Sequence, residues 1–467
     1  MGAIRTQLMG WAAFAALASI VGLAPRSYAQ EIVPTGEYSE GIPVGAWKLY
    51  PKAFVGGVWN DNINQNDNIN QNANINQTAL DNQRSSNSAV RLVPNLVAVY
   101  DGGMHRSTIY GVADAQLFNG NTVAATTGFT HVYEAMRDLV FGFQGNFTRQ
   151  TDLFNNALNF NNGAIGPNLS VDANIPIIIN PFGTTPSVNP TAYNQFTGST
   201  SVMKNFDSTF VVLSGTVFHI AFDNSPNFSP VNDPLQTSHD GTSYWVTGRV
   251  GADVMSSLYV FAEGSGIFQR FNNSLFDTNG YRVVGGLGSR DPNSFFRGEI
   301  YGGYQAQHLL RDELNPFGIP STVNGIPITG SGIPSDTNSA VYGGRLYYYP
   351  TRYWTLVGAV DQTLGISTII SPTIPAGTPV LATNAILQTN YALSRSWSIG
   401  ARGGYTRSQF YGIPRLDNGW LAGASFNYEV WRNLLLTLDY QYTTVRSDAL
   451  FSDFTRNVYT AGLTYKY

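Results

Sequence analysis

The sequence contains no cysteine and few charges. Without cysteine, neither disulfides nor thiolate metal sites are available, so an exported form of this chain must draw its stability from packing and backbone pairing. Only 12% of its residues are charged, about half of the roughly 25% usual in soluble domains. Lys, Arg, Asp and Glu keep a water-facing surface soluble, so much of this surface is expected to face something other than water. Long apolar runs are missing as well. Beyond the N-terminus, Gly, Asn, Thr or Ser interrupts every run before the roughly 20 residues that a helical membrane span needs. Helical spans are thereby excluded. What is abundant is aromatic: 27 Phe, 26 Tyr and 8 Trp supply more apolar area than a disordered chain carries. These exclusions leave a chain that is mostly β.

The N-terminus predicts a destination. Arg5 precedes an apolar run from Trp11 to Leu23, followed by Pro25, Arg26 and the small-x-small site Ser27-Tyr28-Ala29. That is the layout of a secretory signal, so residues 1–29 are expected to be cleaved before Gln30. Two of the 26 basic residues, Arg5 and Arg26, lie in this segment, which leaves 24 basic and 30 acidic residues and a net charge of −6. This acidity argues against nucleic acid as a partner.

The dominant signal downstream is a period of two. Leu434, Leu436, Leu438, Tyr440 and Tyr442 alternate with Thr437, Asp439, Gln441 and Thr443, and Trp420, Ala422, Ala424, Phe426, Tyr428 and Val430 alternate with Gly423, Ser425, Asn427 and Glu429. A tight turn at Arg432 joins the two runs into a hairpin. Eighteen such segments follow one another, most longer than globular strands and long enough for a tilted membrane span. Their connections alternate between short turns, such as Gly102-Gly103-Met104 and Thr351-Arg352, and long loops at 60–88, 151–193 and 310–338. An antiparallel meander with one short and one long rim is the pattern of an outer-membrane β-barrel. The expected organisation is a periplasmic N-terminal segment at 30–47 and an all-β transmembrane barrel of about 18 strands at 48–467, with short periplasmic turns and long extracellular loops. Two loops carry features of their own. Between Asn62 and Gln77, Ile63, Ile69 and Ile75 are each followed by Asn-Gln, which reads as a solvated loop or an adhesive surface. The run Ile175-Pro176-Ile177-Ile178-Ile179 either enters the barrel mouth or packs on neighbouring loops.

The opening of the mature chain carries Tyr38, then Gly41-Ile42-Pro43-Val44-Gly45-Ala46-Trp47-Lys48-Leu49-Tyr50-Pro51, then Val58-Trp59-Asn60-Asp61-Asn62-Ile63. It resembles the putative β-barrel porin family (type 2) of proteobacterial outer membranes, whose first strand begins near a Tyr-Pro and ends in an Asp-Asn-Ile-like corner. The strand with Pro94, the turn at His105-Arg106 and the hairpin from Tyr133 to Arg149 fit as well. The repeat after Asn62 departs from the family and reads as an insertion. The resemblance implies an outer-membrane channel; some members look associated with exopolysaccharide export, which no residue here encodes. The C-terminus, Thr460 to Tyr467, resembles the signal read by the barrel-assembly machinery, carried here by Gly462, Tyr465 and Tyr467, with a terminal Tyr where Phe is commonest.

Chemistry finds little support. The five histidines, His105, His131, His219, His239 and His308, show no metal-ligand spacing, and His239-Asp240 reads as a hydrophilic loop dipeptide. No catalytic residue, metal or cofactor is expected. The lumen is the better candidate. Turning the polar face of each strand inward places Arg249, Asp253, Glu263, Arg282, Arg297, Glu299, Arg345, Asp361, Arg402, Glu429 and Asp439 on the inner wall, where they either set the field or brace the wall. Tyr348, Tyr391, Trp397, Trp420, Tyr440, Tyr465 and Tyr467 read as an interface girdle touching outer-membrane lipid. The favoured function is a porin-like channel for passive passage of small hydrophilic solutes across the Gram-negative outer membrane. The alternatives are an outer-membrane component of exopolysaccharide export and a surface adhesion protein acting through the Asn-rich loop.

Overall fold

The computed structural model describes residues 41–62, 86–117, 122–150, 182–183, 192–223, 240–272, 274–289, 295–310, 322–323, 326–327, 334–367, 378–448 and 453–467. The signal segment, the Asn/Gln repeat, the isoleucine-rich run and His239 lie outside the described residues. Eighteen long strands form the wall: β1 Trp47–Asn60, β2 Asn87–Asp101, β3 His105–Leu117, β4 Thr122–Met136, β5 Leu139–Gln150, β6 Tyr193–Phe206, β7 Thr209–Phe222, β8 Gly241–Met255, β9 Leu258–Phe271, β10 Thr278–Ser289, β11 Phe296–Leu309, β12 Asp336–Thr351, β13 Trp354–Ser367, β14 Pro379–Ala392, β15 Trp397–Phe410, β16 Leu416–Trp431, β17 Leu434–Ser447 and β18 Phe454–Lys466. Each pairs antiparallel with the next, and β1 pairs with β18 from Lys52–Lys466 to Asn60–Val458, which closes the barrel. In hydrocarbon each unpaired backbone group costs several kcal/mol, so only a closed sheet can span. A 14-residue strand such as β7 is about 46 Å long at ~3.3 Å per residue, enough to cross the apolar layer at a barrel's tilt.

Alternation decides which side chains meet lipid. Along β8, Tyr244, Val246 and Val250 are exposed on the outer face while Ser243, Trp245, Thr247 and Arg249 are buried inside. Tyr281, Val283 and Leu287 on β10 and Val55 and Leu463 at the closing seam face outward in the same way. The girdle residues Tyr391, Trp397, Trp420, Tyr465 and Tyr467 are exposed, and aromatic neighbours pack beside them in tilted pairs: Trp397 with Tyr428 at 4.6 Å and Tyr405 with Trp420 at 4.5 Å. Tyr348 and Tyr440 are half-buried, Tyr440 lying 4.8 Å from Tyr459.

The short turns share one rim. Two of them turn through residues in the left-handed region, Asp207 (φ 49°) and Asn433 (φ 71°), residue types that tolerate it. On this rim β1 runs past the end of β18, and the strand segment Ile42–Val44 folds back to pair with Trp47, Lys48 and Leu49, covering the free edge. On the opposite rim Asp61 and Asn62 tie the first strand to the last. Asp61 accepts the Asn457 amide N–H at 2.6 Å and the Asn457 side-chain amide at 2.8 Å, and Asn62 Nδ2 donates to the Thr455 carbonyl at 2.9 Å. The Asp-Asn corner of the first strand is therefore a clasp of barrel closure. Gly462 serves the same seam: it pairs with Gly56, and a Cβ on it would stand 2.5 Å from the Gly56 Cα.

Candidate functional site

The inner wall is built by laying aromatic rings flat on glycines. Phe210 pairs with Gly251, Phe261 with Gly286, Tyr259 with Gly288 and Tyr301 with Gly343, each directly across the ladder. A Cβ on Gly286 would meet the Phe261 ring at 2.5 Å, and one on Gly343 would meet the Tyr301 ring carbon Cζ at the same distance. Only glycine leaves room for a ring lying along the wall rather than across the lumen. Guanidinium groups form the next layer. Arg249 sits 4.1 Å over the Phe261 ring and Arg282 sits 4.8 Å over Tyr301.

Six of the predicted inward charges gather on β8 to β13. Arg249 donates from Nε to Glu263 Oε2 at 2.8 Å and from Nη1 to Glu299 Oε2 at 2.7 Å. Arg282 Nη1 donates to Glu263 Oε1 at 3.2 Å, and the Tyr259 hydroxyl donates to Glu299 at 2.9 Å. Tyr301 donates to Asp361 at 2.8 Å, with Arg282 and Arg345 within electrostatic range of that carboxylate. The Arg282 atoms Nε and Nη2 are buried without a hydrogen-bond partner, so Arg282 is held by Glu263 and by the Tyr301 ring. Arg297 lies on the same wall, over the Tyr349 ring at 5.7 Å.

A second group faces it from strands on the other side of the sheet order. Arg402 on β15 forks onto Asp439 on β17 with two bonds of 2.8 Å, and its Nη2 also donates to Gln441. Arg91 on β2, in electrostatic range of Asp439, donates to Asp114 on β3 at 2.9 Å. Arg91 and Asp114 were not among the residues expected from sequence, although Arg91 stands between Val90 and Leu92 and Asp114 between Ala113 and Ala115, the alternation that marks an inward charge. Asp253 and Glu429 are half-buried at the short-turn ends of β8 and β16, apart from both groups.

The histidines are dispersed. His131 shares a 2.7 Å hydrogen bond with Ser107, with His105 3.5 Å away; His219 meets Thr242 and His308 meets Asp336. Asp240 accepts the Phe222 amide at 2.7 Å, and burial raises its carboxyl above the ordinary carboxylate range. Among the described residues no cluster of three or more His, Asp or Glu could hold a metal ion.

A closed antiparallel barrel with a lipid-facing exterior and a polar, partly solvated inner wall is an outer-membrane channel of the porin class. The chain matches the family described as "Putative beta-barrel porin 2" over residues 179–322 and 336–467, more than half its length, and belongs to it. It resides in the outer membrane of a Gram-negative cell, in contact with its lipid. No curated protein matches the chain. Solved structures similar to it include a BenF-like porin from Pseudomonas fluorescens Pf-5 (TM-score 0.40, 8% identity, 90% of this chain and 98% of that one). OpdQ of Pseudomonas aeruginosa (TM-score 0.37, 8% identity, 90% and 98%) and an anion-selective porin from Comamonas acidovorans (TM-score 0.35, 8% identity, 90% and 99%) are further ones.

Proposed function

We propose that this porin passes small hydrophilic solutes by diffusion through an aqueous lumen, whose path follows the wall that carries Arg91, Asp114, Arg402 and Asp439. The carrying observation is partial exposure of inward charges: the Arg91 and Asp114 side chains are 25% and 19% exposed, and Asp439 is 25% exposed. An inward side chain reaches solvent only where the lumen holds water. Barrels of about 16–18 strands leave such a channel, whereas those of about eight are filled by side chains. The mixed signs, with each acid beside a base, favour weak ion selection over a strong preference for one sign. Among the described residues, which do not include His239, no histidine stands in a nucleophile and base arrangement facing the lumen. Adhesion through residues 60–88 rests on a segment outside the described residues, and no observation favours polymer export. As partners we infer small solutes and, during insertion, the assembly machinery reading Gly462, Tyr465 and Tyr467.

Purified mature protein in a planar bilayer tests this reading. Stable conductance steps that scale with salt, together with swelling of liposomes in small sugars, are expected. Electrically silent insertion of correctly folded barrels would overturn it.

A further inference from the structure

One seam of the wall differs from the rest. The β11–β12 ladder runs unbroken from Phe296–Tyr348 to His308–Asp336, but the β12–β13 ladder stops at Gly343–Asp361. Above that point β13 leaves the wall. Residues 363–367 are buried on both faces, with Leu364 and Ile366 each 1% exposed, although their place in the alternation would turn them toward lipid. They are covered by the inner face of a strand two positions away: Ile366 packs with Leu309 of β11 and with Phe276. The Gln305 side chain of β11 holds the Leu364 peptide like a neighbouring strand, its Nε2 donating to the Leu364 carbonyl at 2.7 Å and its Oε1 accepting the Leu364 N–H at 3.3 Å. Residues 182–183 pair in parallel with Ile366 and Ser367. The end of β13 is thus lapped inside β11 and β12, still joined to β14 through Ile366–Pro379. Toward the membrane, the tie across the seam is a side chain: Gln362 Nε2 donates to the Ala340 carbonyl at 2.7 Å.

The surfaces that meet at this seam are amphipathic: apolar side chains stand beside Gln305, which accepts from Thr363 Oγ1 at 3.2 Å, and beside the hydrogen-bonded Gln269, Thr278 and Gln307. Leu309, Ile366 and Phe276 adjoin Phe271, which also packs on the cluster of Tyr193, Phe218, Ile220, Phe222, Trp245 and Ile267. Two buried apolar clusters, joined through Phe271, therefore extend from β6 to the place where β13 departs, flanked by the polar side chains of Gln269, Thr278 and Gln307. Parting two regular strands in lipid would strand a row of backbone groups, but here that row is already unladdered above Gly343 and the lapped end is held by side chains.

We propose that the β12–β13 seam is a lateral portal through which an apolar or amphiphilic small molecule passes between the lumen and the outer leaflet, the lapped end of β13 being its closed position. The portal goes beyond axial diffusion and is tested separately from it. The chain has no cysteine, so Ala340→Cys with Gln362→Cys places the sole thiols astride the seam. A short bis-maleimide joins them in intact cells whose outer leaflet excludes the apolar dye N-phenyl-1-naphthylamine. Cells producing the wild-type protein should take up the dye several-fold faster than cells without it. Cross-linking should return uptake to the level without the protein, while either single-cysteine variant given the same reagent behaves as wild type and the cross-linked protein keeps its bilayer conductance. Undiminished dye entry through fully cross-linked protein would overturn the portal, as would loss of dye entry and conductance together. Absence of conductance from protein that was never cross-linked would instead contradict the diffusion reading.

Discussion

The two charged walls of this barrel use the same chemistry in different surroundings. On β8 to β11, Arg249 and Glu263 are 8% and 7% exposed, sandwiched against Phe261 and joined by Arg282 and Glu299. On β15 and β17, Arg402 and Asp439 form an equally direct fork but stand 13% and 25% exposed. A charge taken out of water depends on its partners, whereas a half-solvated one can fall back on water. The buried wall is therefore read as a brace and the half-exposed wall as the lining of the water path. An inward polar face is not one functional unit; burial divides it.

The sharpest way to break the comparison is to remove a shared partner from the brace. Glu263→Ala leaves the Arg249 and Arg282 guanidinium groups without their common carboxylate, and a destabilisation of about 3–5 kcal/mol is expected, visible as a lowered urea midpoint for the folded barrel. Next comes the layer beneath. Gly343→Val drives a branched side chain into the space of the Tyr301 ring, with an expected loss of about 1–3 kcal/mol in the same titration. Asp439→Asn on the other wall removes a charge but keeps a hydrogen-bonding side chain of the same shape, so a loss of about 1 kcal/mol or less is expected. Smallest is Arg446→Ala at the loop rim, where Arg446 and Asp453 are 66% and 44% exposed; a change within about 0.5 kcal/mol is expected, with unaltered conductance.

Much of this was legible in sequence because a barrel strand writes its two faces in alternation. The closed fold, the two unequal rims and the inward set containing Arg249, Glu263, Arg282, Glu299, Arg402 and Asp439 all follow from it. Pairing across several strands does not. That Arg249 reaches past β10 to Glu299 depends on how the wall curves and on the ring beneath the guanidinium. The departure of β13 was invisible for a subtler reason. Leu364 and Ile366 alternate as lipid-facing residues do, and period two reports only that a face is apolar, not whether lipid or another strand covers it. The Asp61-Asn62 corner was legible as a family feature, but its work in closing the barrel depends on Asn457 and Thr455, nearly the whole chain away.

The division of the lumen into brace and water path is tested most directly by the reversal potential across a planar bilayer under a salt gradient, compared between wild type and Asp439→Asn. Removing this carboxylate leaves Arg402 uncompensated beside the water path, so selectivity should move toward anions, while Glu263→Gln, in the buried brace, should leave it nearly unchanged in barrels that fold. An unchanged reversal potential in Asp439→Asn, with a clear shift in Glu263→Gln, would contradict the division.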